Sequence, residues 1–196
     1  MTPSKVIKRL VEFGPSVIAP HTKIASHCVL ATRIGIDVLA RFAVLAVPQA
    51  VRVQAINKIM RDALAVEQLG HDPDWQAIAI AGVYMIDTGG PGKGDVDPET
   101  KNWRGHLVIS VPTLGCLVDL NTGAMSRPRK GIVMPPAVSM EFHAPESRYE
   151  LPLGAQVVYG LDDDMQWQRA RDWTDRDRLA DIVDQLTRAI RKGRAA

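Results

Sequence analysis

Apolar positions in this chain recur in two rhythms. Over residues 4–12, Val6, Ile7, Leu10 and Val11 fall on one helical face, with Ser4 placed to cap it and Gly14–Pro15 to end it. Residues 28–42 repeat the pattern with Leu30, Ile34, Val38 and Leu39, and Ser26 is the expected cap. That puts Cys28 in the first turn of this helix. A shorter helix is expected over 58–69, carrying Ile59, Ala63, Leu64 and Val66. From Thr174 to Lys192 the stripe Leu179, Ile182, Val183, Leu186 and Ile190 predicts a C-terminal helix capped by Thr174, with Arg188, Arg191 and Lys192 at its negative end.

Elsewhere the rhythm shortens. Ala43 to Asn57 reads as extended, with Val44, Val47, Val51, Val53 and Ile56, and Pro48 excludes a helix there. Gln76 to Ile86 reads as a buried strand. His106–Val111 and Gly115–Leu120 alternate as two arms of a hairpin turning at Pro112–Thr113, and two further strands are expected near 132–142 and 151–159. Between them the polar stretch 87–104, glycine-rich at 87–94, is long enough to suggest a functional loop, such as a lid. Helices first, then strands, then a helix predict an α+β fold with an antiparallel sheet. The expectation is a single domain over 1–196, its core about 20–160 and its C-terminal helix about 174–192.

Composition narrows the classes. The chain has 24 Lys+Arg against 22 Asp+Glu, a net charge of +2, which gives no electrostatic case for nucleic acid. No apolar run reaches the roughly 20 residues of a membrane span. No apolar region follows Met1-Thr2-Pro3-Ser4-Lys5, so a soluble, cytoplasmic protein is expected. Aromatics are only 5%, leaving the core to Ala, Val, Ile and Leu. Two cysteines are too few for a disulfide framework.

Three residues suggest chemistry. A thiol at a helix N-terminus meets the positive end of the dipole, which favours the thiolate. Cys28 occupies that position. Such a nucleophile needs an imidazole to handle the proton and a carboxylate to orient the imidazole. In the hairpin, a two-residue turn at Pro112–Thr113 would place His106 directly opposite Asp119. A one-pair change of register would still leave them diagonal neighbours on one face. On that face they are the polar pair among Val108, Ser110 and Leu117. Leu107, Ile109, Val111, Cys116, Val118 and Leu120 take the other, where Cys116 reads as core.

A Cys opening a helix, then a His on one strand and an Asp on the next, resembles the papain-like superfamily. More narrowly it resembles the transglutaminase-like branch, with its transglutaminase-like proteases and arylamine N-acetyltransferases. The resemblance rests on His27-Cys28-Val29-Leu30-Ala31-Thr32-Arg33, on Trp103-Arg104-Gly105-His106-Leu107-Val108 and on Leu117-Val118-Asp119-Leu120. It implies Cys28 as nucleophile, His106 as general base and Asp119 as orienting carboxylate, with the sheet packed on the helix that carries Cys28. The implied activity is a thiol-dependent hydrolase or acyltransferase acting on an amide or peptide bond through a thioester, without a cofactor. Its substrate would be a peptide, a protein or a small amide. Trp103 and Arg104, just before His106, would wall the substrate cleft. The competing expectations are an acyl-CoA-dependent N-acyltransferase and a non-catalytic binding module on the same fold.

Other features read as structure. His21, His27 and Cys28 lack a fourth ligand at metal spacing. Gly89–Gly94 fails as a phosphate loop, with Asp87 where the first Gly belongs. Asp162-Asp163-Asp164 reads as a solvated turn, and Arg127, Arg129 and Lys130 as a basic loop near the site, otherwise open to an acidic substrate.

Overall fold

The first helix outlasts its expected stop. In the computed structural model, which describes residues 1–22, 27–89, 96–174 and 179–193, α1 runs Pro3–Ile18 straight through Gly14 and Pro15. A proline inside a helix costs about 3 kcal/mol. Beyond it, however, Val17 and Ile18 are both buried, and each such side chain returns about 1.5–3 kcal/mol. Gly14 packs against Leu120, whose Cδ2 would be 3.4 Å from an added Cβ, an ordinary contact. Pro3 takes the first helical position, so the boundary residue is Thr2 and not Ser4.

The elements then follow as α2 (Cys28–Ala40), β1 (Val47–Ile56), α3 (Lys58–Gln68), α4 (Trp75–Ala81), β2 (Met85–Thr88), β3 (His106–Val111), β4 (Cys116–Asp119), β5 (Val138–Glu141), β6 (Glu146–Glu150), β7 (Gln156–Leu161), α5 (Arg171–Thr174) and α6 (Ala180–Lys192). The expected strand over 76–86 is a helix followed by a short strand. Asp74 caps the helix by accepting from the Ala77 N–H at 3.0 Å, three alanines favour it, and Gly82 ends it at φ +91°. The strand expected near 151–159 begins later, as β7, after a turn over Pro152–Gly154, and β6 ahead of it was not expected. Thr174 ends α5 instead of capping a long helix, and α6 begins after Leu179. Ser26 and most of the 87–94 loop lie outside the described residues.

The fold is α+β, and every strand pair is antiparallel, in the order β5-β4-β3-β1-β7-β6. One edge of β1 is shared by two partners: β3 pairs with its first half, Val51 facing His106, and β2 with its second half, Val53 facing Thr88. Gly89 makes the hand-over possible. At φ +77° it lies so close to β1 that an added Cβ would stand 2.3 Å from the Val51 carbonyl oxygen.

The two faces of the hairpin divide the core as the alternation predicts. Ile109, Val111, Val118 and Leu120 join one cluster with Val6 and Leu10 of α1, Ile34 and Val38 of α2, and Leu186 and Ile190 of α6. Val108 and Leu117 join Val51, Val53, Val157 and Tyr159 in another. A third, smaller cluster gathers Cys28, Trp103, Leu107, Trp167 and Ala170. No described helix is long and apolar enough to cross a membrane.

Candidate active site

The third cluster holds the candidate nucleophile. Cys28 is the first residue of α2, where the backbone N–H groups have no carbonyl a turn earlier to bond. One turn on, Thr32 donates to the Leu107 carbonyl at 2.9 Å and pins this end of α2 on β3. The Cys28 thiol is buried and donates to the Gly105 carbonyl at 3.6 Å. The hairpin register brings in the other two. Ile109 faces Val118 and Val111 faces Cys116, so Asp119 falls opposite Val108, one pair away from the expected alignment with His106. A two-residue hairpin turn needs left-handed residues that proline cannot supply. The chain instead turns over Pro112–Leu114 and closes at Gly115, φ +57°. His106 and Asp119 are therefore diagonal neighbours, and His106 Nε2 lies 2.7 Å from Asp119 Oδ2.

Both side chains are buried, His106 to 5% and Asp119 to 1% exposure. Burial alone would disfavour an imidazolium. The Asp119 charge and hydrogen bond outweigh it, with a further hydrogen bond and charge from Cys28, and His106 is held at about 10 in place of 6.5. Cys28, His106 and Asp119 thus form one continuous set of interactions. The second cysteine differs: Cys116 lies on β4, and burial pushes its thiol up.

A cavity of about 260 Å³ opens at Cys28, and both expected wall residues line it. Trp103 is buried, and its indole N–H donates to Asp164 Oδ2 at 3.0 Å. Arg104 stands at the rim, its guanidinium 3.4 Å from Asp97. Opposite them are His27, Ala170 and Asp172, with His27 Nδ1 3.7 Å from Asp172 Oδ2. Gly105 explains how so large a ring fits beside the strand: an added Cβ would come within 2.1 Å of Trp103 Cζ2.

Sequence reasoning missed the contribution of the later chain. Asp164 is an anchor for Trp103 and not merely a solvated turn. Trp167 and Trp173 pack edge to face at 4.5 Å between ring centres, and Arg33 of α2 lies 4.9 Å above Trp173. Tyr159 of β7, fully buried, donates from its hydroxyl to Asp119 Oδ2 at 3.0 Å. The available signals were a glycine between Trp103 and His106, and one tyrosine at an inward position of β7. Arg129 and Lys130 instead flank Asn57, six residues past Val51 along the chain and so about 20 Å from the His106 end of β1. Arg127 donates to the Ala124 and Ser126 carbonyls. The basic loop does not face Cys28.

Among the described residues, no group of three or more His, Cys, Asp or Glu side chains is placed to hold a metal ion. No family model, no curated protein and no solved structure matches this chain.

Proposed function

We propose that this chain is a thiol-dependent hydrolase or acyltransferase with a papain-like, transglutaminase-like arrangement, acting on an amide or peptide bond. The observation that carries the reading is the buried His106–Asp119 pair, 2.7 Å apart, with the buried Cys28 at the start of α2 acting on the same imidazole. His106 takes the Cys28 proton as the general base. Sγ attacks the carbonyl carbon, and the C–O π pair moves onto oxygen, where the α2 N-terminal N–H groups favour negative charge. As the intermediate collapses, the C–N bond breaks and the His106 imidazolium gives its proton to the departing nitrogen. A thioester on Cys28 remains. Water or an amine then attacks it, His106 accepts the nucleophile's proton, and the C–S bond breaks to restore the thiol. The cavity volume suits a small acyl group or one side chain of a peptide.

Incubation with p-nitrophenyl acetate, followed by peptide mass spectrometry, tests this. The expected result is an acetyl group on Cys28, none on Cys116, and no burst of nitrophenol from Cys28→Ser. Equal labelling of the two cysteines would overturn the reading.

A further inference from the structure

The Asp119 carboxylate is held from both sides. Oδ1 accepts from the Asn121 backbone N–H at 2.9 Å, and Oδ2 accepts from His106 Nε2 at 2.7 Å and from the Tyr159 hydroxyl at 3.0 Å. Asn121 follows Asp119 in the chain and would satisfy Oδ1 on any hairpin of this kind. Tyr159 arrives from β7, forty residues on, across β1 and β3 in the sheet. It is placed by its register, facing Val53 on β1 and Ser147 on β6. Its ring is fixed among Val53, Val157 and an edge-on Tyr149 at 6.3 Å. A rigid ring of that kind leaves its hydroxyl little freedom to follow a rotating carboxylate.

We infer that Tyr159 is a positioning residue of this site: its hydroxyl fixes the rotation of the Asp119 carboxylate and moderates the charge that His106 feels. The inference rests on Cys28, His106 and Asp119 being the reacting set. With the hydroxyl in place, Oδ2 divides its acceptor capacity between a phenol and an imidazolium. Without it, Asn121 still holds Oδ1 but Oδ2 keeps only His106, so the carboxylate is held less firmly and its charge falls more fully on the ring. Burial and the Asp119 charge push the Tyr159 phenol well above its ordinary range, so it remains a donor wherever His106 titrates. The ionisable groups acting on His106 are Asp119 from β4 and Cys28 from α2, and Tyr159 reaches it through Asp119.

The test is an NMR titration of the His106 ring in the wild type, in Tyr159→Phe and in Tyr149→Phe. The last removes a neighbouring hydroxyl that bonds the Glu141 carbonyl and does not touch Asp119. Tyr159→Phe is expected to raise the His106 midpoint, while Tyr149→Phe follows the wild type. Should Tyr159→Phe fail to fold, 3-fluorotyrosine at 159 replaces it. This stronger donor moves the midpoint down. A His106 curve that superimposes on the wild type in the variant studied overturns the inference. Failure of the underlying reading has a different signature, namely wild-type Cys28 reacting with iodoacetamide no faster than Cys116, whatever the His106 curve does.

Discussion

His106 and Asp119 are diagonal neighbours across a hairpin, yet their side chains meet at 2.7 Å inside the protein. Diagonal positions are typically about 7–8 Å apart at the backbone, so both side chains must lean along the sheet to touch. An ion pair buried this deeply contributes modestly as a pair but is costly to break from one side. Asp119→Asn keeps the shape and removes the charge. Burial is then opposed only by Cys28, and the His106 midpoint should fall well below about 10. The expected loss of stability at neutral pH is about 3–5 kcal/mol, read from urea unfolding.

The same pair sets a pH window. His106 is raised in the folded chain relative to 6.5 in the unfolded one, so its contribution is complete below pH 6.5 and disappears as pH climbs through about 10. Plotted against pH, the stability difference between wild type and Asp119→Asn should be largest on the acid side of this window and shrink across it. A difference that grows with pH would contradict the assigned charges.

Gly105→Ala should displace Trp103. The new methyl has no room against the indole, and a rigid buried ring cannot yield as a flexible chain end would. A cost of about 1–3 kcal/mol is expected. Tryptophan fluorescence should shift to the red as the indole leaves Asp164, and iodoacetamide capture of Cys28 should change several-fold.

Thr32→Val keeps the shape of the side chain but leaves the Leu107 carbonyl without the Thr32 hydroxyl. Destabilisation of about 1–3 kcal/mol is expected from the buried acceptor alone. Thr32→Ser should recover most of it, and thermal melts of the two variants give the comparison.

The alternation of the β3–β4 hairpin was enough to place Ile109, Val111, Val118 and Leu120 toward the helices and to put His106 and Asp119 on a common face. The exact pairing was misjudged: Pro112 argues against a two-residue turn, and the longer turn closing at Gly115 shifts the register by one pair. Helix ends were harder. Pro15 and Gly14 carry strong local stop signals, overridden by the burial of Val17 and Ile18, which only the tertiary fold reveals. The 76–86 segment misled in the opposite direction, since Asp74 and Gly82 lie at its margins and its alanines suit a helix. The Cys28, His106 and Asp119 candidates follow from residue type and order. Tyr159, Asp164 and Trp173 do not, because their roles come from contacts made across the sheet or from the segment beyond it.

The anchoring of Trp103 by Asp164, and the packing of Trp167 and Ala170 around Cys28, carry a consequence for biosynthesis. A ribosome delivers α1, α2 and the β3–β4 hairpin well before it delivers the segment that covers the sulfur. The nascent polypeptide therefore exposes Cys28 with one side of its pocket missing. The enclosure around the thiol is complete only once residues 164–173 and then α6, which packs under α2, have emerged.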